Sequence, residues 1–152
     1  MSKGNVFISG ASRGIGKSIA NYFAENDYKV IGTSRNDFEF DNKSENLIPI
    51  KLDITSRDDI KECFNELKSK GLLPDVLINN AGITSDQLFL KMKDDDWDNV
   101  ISTNLTGTYN LTKIFIRNMI KNKNGRIINI SSVAGLMGNP GQVNYSSSKS
   151  AL

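Results

Sequence analysis

The sequence contains no histidine and only one cysteine, Cys63, in 152 residues. Without histidine, the chain lacks the usual base of Ser-His-Asp and Cys-His hydrolases. A lone cysteine cannot form an internal disulfide, and zinc sites built on several Cys or His ligands are excluded, so we predict no metal site. We interpret Cys63 as a buried helix residue without a chemical role. Acid–base chemistry must therefore come from carboxylates, lysine or tyrosine.

The chain also has little net charge and no long apolar run. Its 19 lysines and arginines are scattered among 17 acidic residues, so the formal net charge is +2 and no basic patch for nucleic acid is formed. No segment is apolar enough to span a bilayer, and the N-terminus lacks the apolar core of a signal peptide. We therefore expect a cytoplasmic protein that binds neither nucleic acid nor membrane.

Short apolar, β-rich runs alternate with helix-like stretches along the chain. Because these runs are nearly continuously apolar, they are typical of parallel strands that helices cover on both faces. The alternation predicts an α/β fold with a doubly wound parallel sheet, in a single domain over residues 1–152. The five predicted strands span residues 5–9, 29–34, 47–53, 76–82 and 126–132.

Helices are predicted between most of these strands. Apolar residues at four-residue steps mark a first helix that includes Ile19. Residues 56–70 begin with a hydroxyl cap and two early aspartates, and the stretch 97–119 is also helical in pattern. Residues 36–46 are short and polar for a crossover helix, so we expect a loop there.

A glycine-rich turn, "SGASRGIG", follows the first predicted strand from Ser9. Gly10 permits a tight turn, and Gly14 lets a phosphate approach the backbone. Gly16 lets the next helix pack close to the sheet, and the free N–H groups of that helix attract a pyrophosphate. The spacing differs from the commoner G-x-G-x-x-G pattern, so a glycine-rich turn without a ligand is the alternative.

Basic side chains stand where many NAD-binding domains have an acid after the second strand. Arg35 follows that strand, and Arg13 lies in the glycine turn. Both arginines can form charge-assisted hydrogen bonds with a 2′-phosphate, which favours NADP(H) over NAD(H). The alternative is that both are solvated surface residues.

Polar residues also lie at the ends of the third and fourth predicted strands. The motif "NNAGI" begins at Asn79, at the edge of the sheet where ligands of open parallel sheets bind. Its alternative interpretation is an ordinary strand exit. Asp53 lies at the same edge, where it either accepts a hydrogen bond from an adenine amino group or caps the following helix.

Tyr145 and Lys149 are four residues apart, which places them one turn apart on the same face of a helix. A free phenol has a pKa of about 10, too high for ready proton exchange at neutral pH, and a fixed ammonium nearby favours the phenolate. Tyr145 can then act as a general acid toward a ketone. Ser132, at the end of the fifth predicted strand, can donate a hydrogen bond to the same carbonyl oxygen.

Together, the glycine turn, "NNAG", Ser132 and the Tyr-x-x-x-Lys pair resemble the short-chain dehydrogenase/reductase family over essentially the whole chain. Ser9 stands where the family usually has threonine. The resemblance implies a Rossmann-like fold that lacks the family's last two strands, and catalytic roles for Asn104, Ser132, Tyr145 and Lys149. It implies NADP binding at Gly10, Ser12, Arg13, Gly14, Ile15, Gly16, Arg35, Asp53, Ile54, Asn80, Ala81, Gly82, Tyr145 and Lys149.

Two longer stretches, "NNAGITSDQLFLKMKDDDWDNVISTNL" and "GRIINISSVAGLMGNPGQVNYSSSK", resemble the 3-oxoacyl-[acyl-carrier-protein] reductases of fatty-acid synthesis. That resemblance implies a β-ketoacyl thioester on an acidic acyl carrier protein as substrate, and a homo-oligomer as the complete enzyme. A basic group formed by Arg117, Lys121, Lys123 and Arg126 is a candidate contact for the carrier, or simply suits the helix dipole. Another ketone or a sugar is the alternative substrate.

Family members continue well past the lysine, with the rest of its helix and two further strands. We therefore expect this sequence to be the N-terminal part of a longer reductase whose edge strand is uncovered here. The alternative is a short, non-catalytic nucleotide-binding module.

Overall fold

The computed structural model describes residues 2–152 and consists of a five-stranded sheet with helices on its faces. The strands are β1 (Asn5–Ser9), β2 (Lys29–Ser34), β3 (Leu47–Lys51), β4 (Val76–Asn79) and β5 (Arg126–Asn129). The helices are α1 (Gly14–Glu25), α2 (Arg57–Ser69), α3 (Asp94–Ile101), α4 (Gly107–Asn122), α5 (Ala134–Met137) and α6 (Val143–Ser150).

All the strand pairs are parallel, in the order β3-β2-β1-β4-β5. The predicted doubly wound parallel sheet is therefore confirmed. β3, β4 and β5 end two or three residues before their predicted ends, because the apolar residues that follow each strand belong to loops at the carboxyl edge. Residues 36–46 contain no helix, as predicted.

Alternate side chains of the central strands enter two separate core layers. Phe7 of β1 packs with residues of α2 and α4, including Phe115, whose ring centre lies 4.9 Å away. Val6 and Ile8 face the opposite side, where they pack in one cluster with residues of α1, including Ala20. Burial of apolar surface on both faces thus holds the sheet between its helices.

Cys63 is buried in the α2 layer, as predicted. Burial, together with the nearby Glu66 carboxylate, raises the pKa of the Cys63 thiol to about 11. The reactive thiolate is therefore scarce at neutral pH, and this side chain acts in packing.

The stretch predicted as one helix over 97–119 is two helices joined by a π-helical turn, Ser102–Thr106. A π-helical turn has one residue more than an α-helical turn, and this one contains the buried Asn104. Such insertions are frequent at functional sites.

The β5 edge of the sheet is uncovered, as predicted. All four of its residues are exposed, including the apolar Ile127 and Ile128, at 38% and 42%. Within residues 2–152, no helix is both long enough and apolar enough to cross a membrane.

Candidate functional site

A cleft of about 540 Å³ runs along the carboxyl ends of the strands. All predicted cofactor residues line it except Asp53, Tyr145 and Lys149. The cleft wall consists of Gly10, Ser12–Gly16, residues 33–38, Leu52, Ile54, residues 80–83 and Thr103.

The glycine turn has the conformation that its sequence predicts. Gly10 and Gly14 have φ angles of +70° and +56°, which favour glycine. A Cβ on Gly16 would lie 2.2 Å from the Gly10 carbonyl oxygen, so only glycine allows α1 to start this close to the turn. A Cβ on Gly14 would meet no atom within 4 Å, so this part of the cleft wall is open.

The N-terminus of α1 lacks the protein partners that α2 has. In α2, Ser56 accepts a hydrogen bond from the Asp59 N–H, and Asp58 and Asp59 lie in the first turn. Within the described chain, α1 has neither a side-chain cap nor an acidic residue in its first turn. The positive end of α1 therefore faces the cleft without a capping side chain or an acid in its own first turn, which suits a bound phosphate.

Ser9 and Asn80 connect the ends of β1 and β4. The Ser9 hydroxyl oxygen accepts hydrogen bonds from the N–H groups of Asn80 and Ala81, at 3.1 and 3.0 Å. In return, Asn80 Nδ2 donates to the carbonyl oxygens of Ser9 and Gly10, at 3.0 and 2.9 Å. The serine thus keeps the hydroxyl function expected of threonine at this position, and Asn80 fixes the glycine turn.

Asp53 has a local structural role. Its Oδ1 accepts hydrogen bonds from the N–H and the hydroxyl of Thr55, both at 2.8 Å, and Ser56 caps α2. Asp53 does not line the cleft. Its carboxylate therefore stabilises the turn before α2, and neither of the two roles considered from the sequence describes that contact.

Lys149 is buried, with 5% of its surface exposed, and its Nζ donates to the Ile130 carbonyl oxygen at 2.7 Å. In the part of the chain that the structure describes, it forms no salt bridge. Desolvation by burial lowers the pKa of the Lys149 ammonium from the ordinary 10.5. The Tyr145 ring centre is 5.9 Å from Nζ, so the helix brings the two residues together as predicted.

Asn104 lies beside Lys149 and holds the loop after β4. Its Oδ1 accepts from the Ile83 N–H at 2.8 Å, and its Nδ2 donates to the Ile83 carbonyl and to Ser148 Oγ, both at 3.0 Å. A Cβ on Gly82 would lie 3.3 Å from Asn104 Oδ1 and 3.4 Å from Lys149 Nζ. The cleft and the Tyr145–Lys149 pair therefore meet at Gly82.

Ser132 lies in the loop after β5, and its neighbours in that loop contact α6. The Ile130 carbonyl oxygen accepts a hydrogen bond from Lys149 Nζ, and Ser131 Oγ donates to the Lys149 carbonyl oxygen at 2.6 Å. The Ser132 hydroxyl oxygen accepts a hydrogen bond from the Ala134 N–H at 3.2 Å. The loop thus holds Ser132 next to the segment that contacts Lys149.

A second tyrosine–lysine pair with the same spacing lies elsewhere. On α4, Lys113 Nζ donates to the Tyr109 hydroxyl oxygen at 2.9 Å. This hydrogen bond and the Lys113 charge lower the pKa of the Tyr109 phenol. Tyr109 is exposed and lies outside the cleft wall, so spacing alone does not identify the functional pair.

Sequence reasoning missed part of the cleft wall. Asn36, Asp37 and Phe38 follow β2 within the predicted loop, and Thr103 enters from the π-helical turn. Two phenylalanines in an otherwise polar segment, Phe38 and Phe40, were the available signal for the loop. Nothing in the sequence pattern indicated Thr103.

The basic group formed by Arg117, Lys121, Lys123 and Arg126 lies at the opposite edge of the sheet. Arg126 pairs with Val76 at the start of β4, whereas the cleft lies at the strands' carboxyl ends. These exposed side chains therefore do not border the cleft.

The burial of Lys149 leads to a prediction about stability. Between its lowered folded-state pKa and 10.5, the unfolded chain binds more protons than the folded chain, so the free energy of unfolding rises with pH. The difference in free energy of unfolding, Lys149→Met minus wild type, is expected to be largest below that interval. It is expected to shrink as pH rises toward 10.5. Urea unfolding of both proteins across this range measures the difference. A difference that stays constant or grows with pH contradicts the assignment.

Comparison with known proteins identifies related chains. The short chain dehydrogenase family profile matches residues 4–152. The 3-oxoacyl-[acyl-carrier-protein] reductase FabG of Thermotoga maritima is 43% identical over 95% of this chain and 62% of its own length. The protein of that name from Escherichia coli is 40% identical, over 95% of this chain and 61% of its own length. The chain thus spans less than two thirds of these relatives.

Solved structures agree with the sequence comparison. A structure described as ElxO with NADP bound superposes with a TM-score of 0.91 at 40% identity, over 99% of this chain and 64% of the other. 4-Hydroxyisoleucine dehydrogenase complexed with NADH has a TM-score of 0.87 at 35% identity, over 96% of this chain and 63% of the other. With the profile match, these likenesses show that the chain belongs to the short chain dehydrogenase family.

Proposed function

We propose that the protein is an NADPH-dependent reductase that converts a 3-oxoacyl group on acyl carrier protein to a 3-hydroxyacyl group in fatty-acid synthesis. The observation that carries this proposal is the meeting of the cleft with the Tyr145–Lys149 pair at Gly82. A dinucleotide in the cleft can then extend from the glycine turn to the side chains that handle the proton. The FabG relatives support the choice of substrate.

The cleft fits a nicotinamide dinucleotide. The uncapped α1 N-terminus and the open space at Gly14 suit its pyrophosphate. Arg13 and Arg35 are exposed in the cleft wall and form no salt bridge within residues 2–152, so both are available to a 2′-phosphate. Asp37, the carboxylate in the wall, is paired with Lys51 at 3.0 Å. The structure of ElxO with NADP supports NADP, although a relative was solved with NADH.

The cofactor and the protein side chains have separate roles in the proposed reaction. A bound NADPH would supply the hydride that reduces the carbonyl carbon to the alcohol carbon, and its nicotinamide would be oxidised in return. Tyr145 donates its phenolic proton to the carbonyl oxygen, while Ser132 donates a hydrogen bond to that oxygen. The Lys149 ammonium stabilises the resulting phenolate and binds the nicotinamide ribose, and Asn104 positions the loop around it. Solvent then returns a proton to Tyr145.

Apolar side chains around α6 support an acyl substrate. Leu88 and Phe89, from the loop after β4, are 61% and 73% exposed, and Leu136 and Met137 of α5 are 89% and 81% exposed. The loop after β4 is joined to the loop after α5 by a hydrogen bond from the Gln87 N–H to the Gly141 carbonyl oxygen at 2.8 Å. Exposed apolar side chains on these two linked segments favour an alkyl chain over a sugar.

A reductase of another ketone is the second candidate function, because 4-hydroxyisoleucine dehydrogenase is 35% identical to this chain. Turnover of an acetoacetyl thioester well above that of an amino-acid ketone supports the acyl substrate, and the reverse order supports the second candidate. We also propose one nucleotide-binding domain over residues 1–152, and a cytoplasmic location and homo-oligomeric assembly for the full protein, from the family resemblance.

Gly14→Ala tests the phosphate site. A methyl group on residue 14 keeps a phosphate away from the backbone N–H groups. Because hydrogen bonds to a charged group contribute ~1.5–3 kcal/mol each, we expect NADPH binding to weaken about tenfold or more. Gly71→Ala is the matched control, because Gly71 also has a positive φ, +69°, and open space around its missing Cβ, but lies outside the cleft. Isothermal titration measures both affinities. Equal losses in the two variants attribute the effect to backbone strain and reject the site.

Arg35→Ala tests the preference for NADPH. Because the variant loses the charge-assisted hydrogen bonds to the 2′-phosphate, we expect NADPH binding to weaken roughly 10- to 100-fold. NADH binding is expected to change less than about threefold. Arg117→Ala, an exposed arginine at the other edge of the sheet, is the control. Titration with each cofactor gives the comparison, and matching losses for both cofactors contradict the 2′-phosphate assignment.

Tyr145→Phe tests the proton donor in the full protein that carries this sequence. We expect the rate of thioester reduction to fall about 10²- to 10⁴-fold while NADPH affinity stays nearly unchanged. Tyr109→Phe is the matched control, because Tyr109 also precedes a lysine by four residues and hydrogen-bonds to it. Steady-state NADPH oxidation measures the rates. Full activity in Tyr145→Phe removes this residue from the mechanism.

A further inference from the structure

The polar segment between β2 and β3 contains two aromatic residues that the proposed mechanism does not use. Phe38 lies in the cleft wall and is half-buried, whereas Phe40 is buried in the core layer that includes α1. Phe38 is the one aromatic side chain of the wall among residues 2–152. Because a crossover helix is missing here, the segment itself forms this part of the cleft.

Phe40 holds the segment in place. A Cβ on Gly32 of β2 would lie 2.5 Å from Phe40 Cζ, so the glycine leaves the space that the ring fills. The Phe38 and Phe40 ring centres are 5.1 Å apart with an interplanar angle of 70°, an edge-to-face contact. Ion pairs of Lys51 with Asp37 and of Lys17 with Asp41 tie the segment to β3 and α1. The Phe38 ring is thus fixed by packing as well as by its own chain.

The order of the strands places the two halves of a dinucleotide. The glycine turn, where the pyrophosphate fits, follows β1 at the centre of the sheet, and Lys149 lies on the β4 side. The other half of the ligand must extend toward β2 and β3. There the cleft wall includes the half-buried Phe38 beside the largely buried Leu52 and Ile54, so the Phe38 ring is the apolar group with surface open to a flat aromatic base.

We propose that Phe38 forms an aromatic wall against which the purine base of the dinucleotide binds. The inference rests on the proposed function. It adds a binding residue for the same cofactor, in a segment that the sequence predicted only as a loop. Base–aromatic contacts are strong and depend on the ring rather than on hydrogen-bond readout. The residue therefore contributes to affinity for the adenosine half of the ligand.

Titration of three proteins tests the inference, each prepared as the full protein that carries this sequence. NADPH and adenosine 2′,5′-bisphosphate are titrated into wild type, Phe38→Leu and Phe38→Tyr. Phe38→Leu is expected to bind both ligands roughly 5- to 100-fold more weakly, by the same factor, because both contain the purine. Phe38→Tyr keeps the ring and is expected to bind both within about threefold of wild type.

A measurement on the wild-type protein guards against a variant that fails to fold. With phenylalanine rings isotopically labelled, a nuclear Overhauser effect is expected between one phenylalanine and the adenine protons of bound adenosine 2′,5′-bisphosphate. Unchanged affinities in Phe38→Leu, or absence of that signal from the bound complex, overturn the Phe38 inference alone. If wild type binds neither NADPH nor the bisphosphate, the proposed cofactor and this inference both fail.

Discussion

Ser9 and Asn80 exchange hydrogen bonds across the carboxyl ends of β1 and β4, and the rest of the site is arranged around that contact. The contact holds the glycine turn against the loop after β4. Gly16 then lets α1 begin almost in contact with the Gly10 carbonyl, which directs the helix N-terminus into the cleft. On the other side, the same loop continues to Gly82, beside Lys149. The proposed phosphate site and the proposed proton donor are therefore connected through one backbone junction.

Lys149 is a buried charge without a counter-ion in the described chain. Its ammonium is buried and contacts one carbonyl, with no carboxylate partner in the described chain, and burial lowers its pKa. Burying a charge without a counter-ion costs stability, so the fold maintains this position at the expense of its own free energy of unfolding. In the proposed reaction, the phenolate formed on Tyr145 supplies the missing negative charge.

Much of the fold was predictable because its signals are local. Continuous apolar runs identified all five strands, and a serine followed by two aspartates identified the start of α2. The four-residue spacing of Tyr145 and Lys149 identified their shared face, yet Tyr109 and Lys113 have the same spacing and lie on an exposed face of α4. Only the tertiary structure distinguishes the two pairs.

Other features of the site depend on contacts that no local pattern encodes. The π-helical turn adds one residue, which barely changes the apolar periodicity of 97–119. The contact between Asp53 and Thr55 is one that neither sequence interpretation of Asp53 included, and the position of the basic group depends on the direction of α4 relative to the strands. The cleft contacts of Phe38 depend on how Phe40 packs against Gly32.

The most direct measurement of the central claim follows the hydride itself. The full protein that carries this sequence is incubated with an acetoacetyl thioester and NADPH deuterated on the transferred position of its nicotinamide, and the product is analysed by mass spectrometry. The account predicts a 3-hydroxybutyryl thioester with deuterium on the carbon that bears the hydroxyl group. A hydroxy product without deuterium, or no product while NADPH binds, contradicts the proposed hydride transfer.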